Sequence, residues 1–198
     1  FYRGGDMIEI FYATGNSSKF ADVSRYVQES KSDIIIKQFE ADIPEIQSLD
    51  LRAVAIDKAR QAWNILQKPV IVDDSGLFVL KYNNFPGVMS KHVFEGIGFS
   101  GLMKLFDEGD GAEFIVSLVY AYGPGKFEIF ERRMSGKIVH PTELAPFNPK
   151  LPYISIFVPD GHEKTLAELR QLESSPEFNP RVTAFRDLLV WLENQKTF

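Results

Sequence analysis

The run Ile8-Glu9-Ile10-Phe11-Tyr12 alternates and is β-prone, and it gives way at Thr14-Gly15-Asn16-Ser17-Ser18-Lys19 to a stretch in which Phe20, Val23 and Val27 share one helical face. This pattern constrains the chain to begin with a strand, a short polar loop and a helix. At such a junction the unpaired N–H groups of the first helical turn and the positive end of the helix dipole face the loop, and Lys19 adds a full charge. That is a place to hold phosphate, with the Asn16 amide able to orient a phosphate oxygen or a polar base edge. A plainer reading competes with it, in which Ser17 caps the helix, Gly15 makes an ordinary turn and Lys19 lies in solvent.

A second constraint is the helical pattern from Leu51 to Leu66. Leu51, Val54, Ala55, Ala62 and Ile65 form an apolar stripe, and Lys58 falls in the middle of it. An ammonium there must snorkel, meet an anion or lose its proton. Its partner is either an internal carboxylate, Asp73 or Asp74, or a phosphate, and the two options can coexist.

The third is Asp73-Asp74-Ser75-Gly76, which follows the strand Pro69 to Val72 and reads as a strand-to-turn junction ahead of a further short strand, Leu77 to Leu80. Adjacent carboxylates can hold a hard cation such as Mg²⁺, which takes one or two of them plus phosphates and water. Successive strand residues face opposite sides, so one aspartate would meet the reaction centre and the other organise the loop. The competing reading is an Asx-turn ahead of Ser75-Gly76. Glu45, after Pro44 in a polar turn, is a candidate third carboxylate.

Elsewhere the pattern places a strand at Ile34-Ile35-Ile36 and a helix from Phe99 to Phe106. A hairpin of Phe114 to Tyr122 and Lys126 to Met134 turns at Gly123-Pro124-Gly125. A proline-rich loop runs from Pro141 to Pro152, with helices from Leu166 to Leu172 and Val182 to Leu192. The last carries Phe185, Leu188, Leu189 and Leu192 on its apolar side. His92, His140 and His162 show no metal-ligand spacing, Arg132-Arg133 reads as a solvated strand edge, and Trp63 and Trp191 read as packing residues.

Composition narrows the function classes. With 198 residues and 44% hydrophobic content the chain can bury a substantial core. A net charge of −5 argues against a nucleic-acid or anionic-membrane surface, while small anionic ligands remain allowed. The absence of cysteine excludes disulfides and thiol chemistry, and no apolar run reaches membrane-spanning length, so a soluble cytoplasmic protein is expected.

These motifs, in this order and spacing, give the chain its resemblance to the inosine/xanthosine triphosphate pyrophosphatases, the Ham1-like enzymes that remove deaminated purine nucleotides. It rests on Ala13-Thr14-Gly15-Asn16 with Lys19, Pro44-Glu45-Ile46-Gln47, Lys58-Ala59, Asp73-Asp74-Ser75-Gly76-Leu77, Phe85-Pro86-Gly87, Ser135-Gly136-Lys137-Ile138, and Pro159-Asp160-Gly161 with Thr165 and Ala167-Glu168. The resemblance implies an α/β fold, an elongated mixed β-sheet with flanking helices and two lobes around a central nucleotide cleft. Residues 7–198 would form one such domain, with residues 1–6, ahead of Met7, a tag remnant or flexible extension. It further implies Mg²⁺-dependent hydrolysis of the α–β phosphoanhydride of a nucleoside triphosphate to the monophosphate and pyrophosphate, by a homodimer that binds neither nucleic acid nor membrane.

Position by position, the resemblance gives Asp74 the activation of water and Lys58 a catalytic charge. Glu45, Asp73 and Asp74 receive the metal, and Thr14, Asn16, Lys19, Ser75, Tyr153 and Arg181 the substrate. The base-recognition half departs from the family pattern. Leu151-Pro152-Tyr153-Ile154-Ser155 stands where the family has Phe-Gly-Tyr/Trp-Asp-Pro, and Asn179-Pro180-Arg181 where it has Ser-His-Arg, with its upstream lysine replaced near Ser174 or Ser175. Only Tyr153 and Arg181 remain of that half, so relaxed or altered base selectivity is expected. The alternative is a non-catalytic paralogue that binds a nucleotide or a partner.

Overall fold

A computed structural model describes residues 7–143, 148–172 and 175–196. Residues 1–6, Ser174 and residues 144–147 of the Pro141 to Pro152 segment therefore lie outside the described residues. The strands are β1 (Ile8–Ala13), β2 (Ile34–Phe39), β3 (Val70–Val79), β4 (Pro86–Gly87), β5 (Gly111–Gly123), β6 (Lys126–Ile138) and β7 (Phe157–Pro159). The helices are α1 (Ser17–Ser30), α2 (Leu51–Leu66), α3 (Ser90–Leu105), α4 (Leu166–Leu172) and α5 (Pro180–Lys196). The seven strands form one mixed sheet in the order β2-β1-β3-β5-β6-β7, with β4 paired to β3. β1 runs parallel to both β2 and β3, and the β3–β4 and β6–β7 pairs are antiparallel.

The chain divides into two compact units, with boundaries inside β3, β5 and β6. The first contains residues 7–74, 117–131 and 181–196. Its β1 alternation places Ile8, Ile10 and Tyr12 on one face, where they pack with Val23 and Val27 of α1 and with Phe185, Leu188 and Leu192 of α5. Ala13 packs on the opposite face with Ala55, Ala59 and Ala62 of α2 and Val70, Val72, Val119 and Ala121 of the sheet. Coverage of both faces accounts for the near-continuous apolar character of the parallel strands. Ile65, expected on the buried stripe of α2, is 59% exposed, because the helix ends one residue later with Gln67 in the left-handed conformation.

The second unit contains the described parts of Ser75–Val116 and Arg132–Pro180. Its core gathers Leu77, Val79, Leu102, Phe106, Val116, Ile138, Phe157, Leu166 and Leu169. The helix expected from Phe99 begins earlier, at Ser90, and kinks at Gly98, whose left-handed φ of 57° interrupts the periodicity on which the sequence reading relied. Thr165 and Glu168 form a reciprocal capping box that starts α4.

The main correction concerns Asp73-Asp74-Ser75-Gly76, which is neither a turn nor the end of a strand. It lies inside β3, which runs unbroken through Leu77 to Val79. Gly76 makes this possible, since Gly87 of β4 comes so close that a Cβ at position 76 would sit 2.1 Å from its carbonyl oxygen. Ser90 then locks the approach, donating from its hydroxyl to the Gly87 carbonyl (2.6 Å) and accepting from the Leu77 N–H (3.0 Å). Gly76→Ala is therefore expected to destabilise the protein by about 1–3 kcal/mol or more through overpacking. A calorimetric melting temperature unchanged from wild type would contradict this close approach.

Candidate active site

The loop after β1 is built around Asn16, which caps α1, the role that the plainer reading of the loop gives to Ser17. The Asn16 side-chain oxygen accepts from the N–H groups of Ser18 (3.0 Å) and Lys19 (3.3 Å), and Thr14 Oγ1 accepts from the Asn16 N–H (3.1 Å). This capping fixes the first turn and with it the direction of Lys19. Lys19 does not lie in solvent: its Nζ is 3.0 Å from Asp73 Oδ2, and its side chain is 15% exposed.

Asp73 is the hub of the first unit. Its Oδ1 accepts from the Tyr12 hydroxyl, and its Oδ2 accepts from Lys19 Nζ and from Arg181 Nε at 3.0 Å each. Arg181 Nη1 donates in turn to Asp22 Oδ2 at 3.3 Å. Burial alone would raise the Asp73 pKa, but the Arg181 and Lys19 charges and the Tyr12 hydrogen bond outweigh it and hold the carboxyl well below its usual range. For Tyr12, burial and the adjacent Asp73 charge push the phenol pKa up, so the hydroxyl keeps its proton and acts as donor.

Asp74, next along β3, has a different environment. Its Oδ2 is buried and has no hydrogen-bond partner among the described residues. Burial raises its pKa, with Glu45 and Asp73 adding to the shift while Lys19 and Lys58 oppose it. Lys58 Nζ is 2.8 Å from Glu45 Oε1, so its ion-pair partner is Glu45, where the sequence pointed to Asp73 or Asp74. Burial lowers the Lys58 pKa, yet Asp74, Glu45 and Asp73 together raise it above its usual value, and the ammonium stays charged. One carboxylate with an unpartnered oxygen, electrostatically coupled to a second, is an oxygen donor set that fits a hard divalent cation. No group of three His, Cys, Asp or Glu side chains converges among the described residues, so water and substrate oxygens would complete the shell.

The first unit thus gathers Thr14, Asn16, Lys19, Glu45, Lys58, Asp73, Asp74 and Arg181, while Ser75 and Tyr153 belong to the second. Tyr153 is buried there and donates its hydroxyl to the Ser90 carbonyl at 2.7 Å. Ile154 is part of the core of that unit, and Leu151 packs against it. Arg133 pairs with Glu113, His140 Nε2 lies 2.8 Å from the Phe106 carbonyl, and Trp191 packs against Tyr120 and Tyr122. Sequence reasoning missed Tyr12 and Asp22. A tyrosine in an alternating strand reads as a core aromatic, and its carboxylate partner is 61 positions away.

Lys19 of α1, Lys58 of α2 and the adjacent carboxylates Asp73 and Asp74 of β3 thus act on one another electrostatically on a mixed α/β scaffold. The chain belongs to the Ham1 family, whose model matches residues 10–191. It is 33% identical over 190 residues to the dITP/XTP pyrophosphatase of Methanopyrus kandleri, covering 94% of this chain and 97% of that protein. To the inosine triphosphate pyrophosphatase of Schizosaccharomyces pombe it is 32% identical over 190 residues, covering 94% and 96%. A HAM1 protein from Coxiella burnetii shares the fold with a TM-score of 0.77 and 25% identity, over 95% of this chain and all of that one.

Proposed function

We propose that this chain is a nucleoside-triphosphate pyrophosphatase acting on non-canonical purine nucleotides, with residues 7–198 working as one inosine-triphosphatase-like domain. The observation that carries this reading is the half-buried Asp74 carboxylate, with one oxygen unpartnered and lysines 19 and 58 acting on it electrostatically. A general base needs an environment that tunes its proton affinity, and at Asp74 burial, Glu45 and Asp73 raise it against the opposing charges of Lys19 and Lys58. Asp74 orients the water and takes its proton as the new oxygen–phosphorus bond forms at the α-phosphorus and the bond to the bridging oxygen of pyrophosphate breaks.

Lys19 and Lys58, with Thr14 and Asn16 at the cap of α1, hold the triphosphate and offset the charge that develops on the departing pyrophosphate. Ser75 and Tyr153 are further substrate contacts, and Arg181 meets the 6-oxo edge of the base. A Mg²⁺ ion would be held by Glu45 and Asp74, assisted by the charge of Asp73, and would supply neutralisation of phosphate charge. The protein is proposed to be a cytoplasmic homodimer that binds neither nucleic acid nor membrane, in keeping with its net charge of −5 and with the lack, among the described residues, of a helix long and apolar enough to cross a membrane.

The test is pyrophosphate release with Mg²⁺ across the triphosphates of inosine, xanthosine and the standard ribo- and deoxyribonucleosides. With Leu151 and Ile154 apolar, preference for the 6-oxo purines over ATP is expected to be modest, about 10–200-fold in kcat/KM. Silence across the panel would sink the catalytic reading and favour a binding protein.

A further inference from the structure

Glu45 stands on a stretch of chain that burial does little to hold. Residues 40–50 form no helix or strand, and Pro44, Glu45, Ile46 and Gln47 are all exposed. Two side chains of α2, one turn apart, reach this stretch. Lys58 Nζ pairs with Glu45 Oε1 at 2.8 Å, and Gln61 Nε2 donates to the Pro44 carbonyl at 2.9 Å. The same nitrogen donates to Asp57 Oδ2 at 2.6 Å, so both hydrogens of the amide are committed. Asp57 lies four positions before Gln61 on α2, the spacing at which helical side chains meet, and it is buried and paired with Arg60. A carboxylate accepts and does not donate, so it draws the Nε2 end of Gln61 toward itself, and the second N–H is left for Pro44.

The two contacts fare differently once ligands arrive. The proposed function gives Lys58 to the triphosphate and Glu45 to the metal, so each member of their ion pair has a competing bond to make. A pair drawn on from both sides cannot by itself keep Glu45 in place. The Gln61 bond ends on a backbone carbonyl to which that function assigns no ligand. We infer that Gln61, oriented by Asp57, is a positioning residue that anchors the backbone beside Glu45, so that the carboxylate stays in place for a divalent cation when metal and phosphate part it from Lys58. Gln61 touches neither substrate nor metal in this scheme and acts through the chain at Pro44. The inference rests on the proposed assignment of Glu45 to the metal.

The experiment compares wild type with Gln61→Met, which keeps the length of the side chain without the amide, and with Gln61→Ala, which removes it. Binding of Mn²⁺ to the nucleotide-free protein is read by electron paramagnetic resonance, and pyrophosphate release from inosine triphosphate is titrated with Mg²⁺. Both variants are expected to weaken Mn²⁺ binding and to raise the half-saturating Mg²⁺ concentration by about three- to ten-fold, the worth of one hydrogen bond behind a metal ligand. At saturating Mg²⁺, kcat should return close to that of wild type. A purely structural role for Gln61 would lower the melting temperature and leave the metal dependence unchanged, which would overturn the inference. Glu45→Gln separates the failures. If it weakens Mn²⁺ binding and the Gln61 variants do not, only the Gln61 inference is wrong. If it leaves Mn²⁺ binding unchanged, or if wild type binds no Mn²⁺, the assignment of Glu45 to the metal falls and the inference falls with it.

Discussion

Asp74→Asn is expected to lower pyrophosphate release by about 10²–10⁴-fold, the usual contribution of a positioned general base, while nucleotide binding persists. The same substitution is expected to raise the melting temperature of the metal-free protein at neutral pH. Burial raises the Asp74 pKa in the folded state, so the folded chain binds a proton there more readily than the unfolded chain does. Stability therefore falls as pH rises from the unfolded value toward and through the folded one, and the neutral amide escapes this burden. The stability gain should vanish below about pH 4, where the carboxyl is protonated in both states. Lost activity with gained stability marks a residue kept for function at a cost to the fold. Parallel activity and melting measurements check it, and loss of both together would reduce Asp74 to a structural carboxylate.

Much of this site was legible in the sequence wherever the signal is local. The alternation of Ile8, Ile10 and Tyr12 and the periodicity of α2 and α5 follow from burial on fixed faces, and those residues are buried as their spacing requires, apart from Ile65 at the end of α2. The strand rule puts Asp73 and Asp74 in different surroundings, Asp73 bonded to Tyr12, Lys19 and Arg181 and Asp74 carrying the unpartnered oxygen, but the expected loop for one of them to organise is absent because both lie inside β3. Non-local effects were not legible. Asp73-Asp74-Ser75-Gly76 has turn composition, yet it stays extended inside β3, which pairs with neighbouring strands and meets Gly87 of β4 at Gly76. Likewise Arg181 reads as a base-binding residue, but its bonds to Asp73 and Asp22 reach 108 and 159 positions along the chain. Nothing near Tyr12 marks its hydroxyl as a donor to the hub.

Asp73→Ala is expected to be the most destabilising change in the first unit, in the direction opposite to its neighbour. Removing this carboxylate leaves Arg181 and Lys19, both largely out of solvent, without their shared counter-charge, and breaking a buried ion pair costs about 3–5 kcal/mol. For a chain of this size that corresponds to a fall in melting temperature of roughly 6–20 °C. The pH dependence follows from the depressed Asp73 pKa, which the Arg181 and Lys19 charges maintain against burial. Its stabilisation is fully present above the unfolded aspartate value of about 3.9 and is lost as pH falls through the lower folded value. The gap between wild type and variant should accordingly be wide at pH 7 and close only in strong acid. A gap below about 1 kcal/mol at pH 7 by denaturant titration would place the ion pair among weak, solvent-screened ones and remove Asp73 as the hub. With the expected wide gap, two aspartates adjacent on one strand differ in the sign of their effect on stability because alternation gives one carboxylate two cations and a phenol and leaves the other with an unpartnered oxygen.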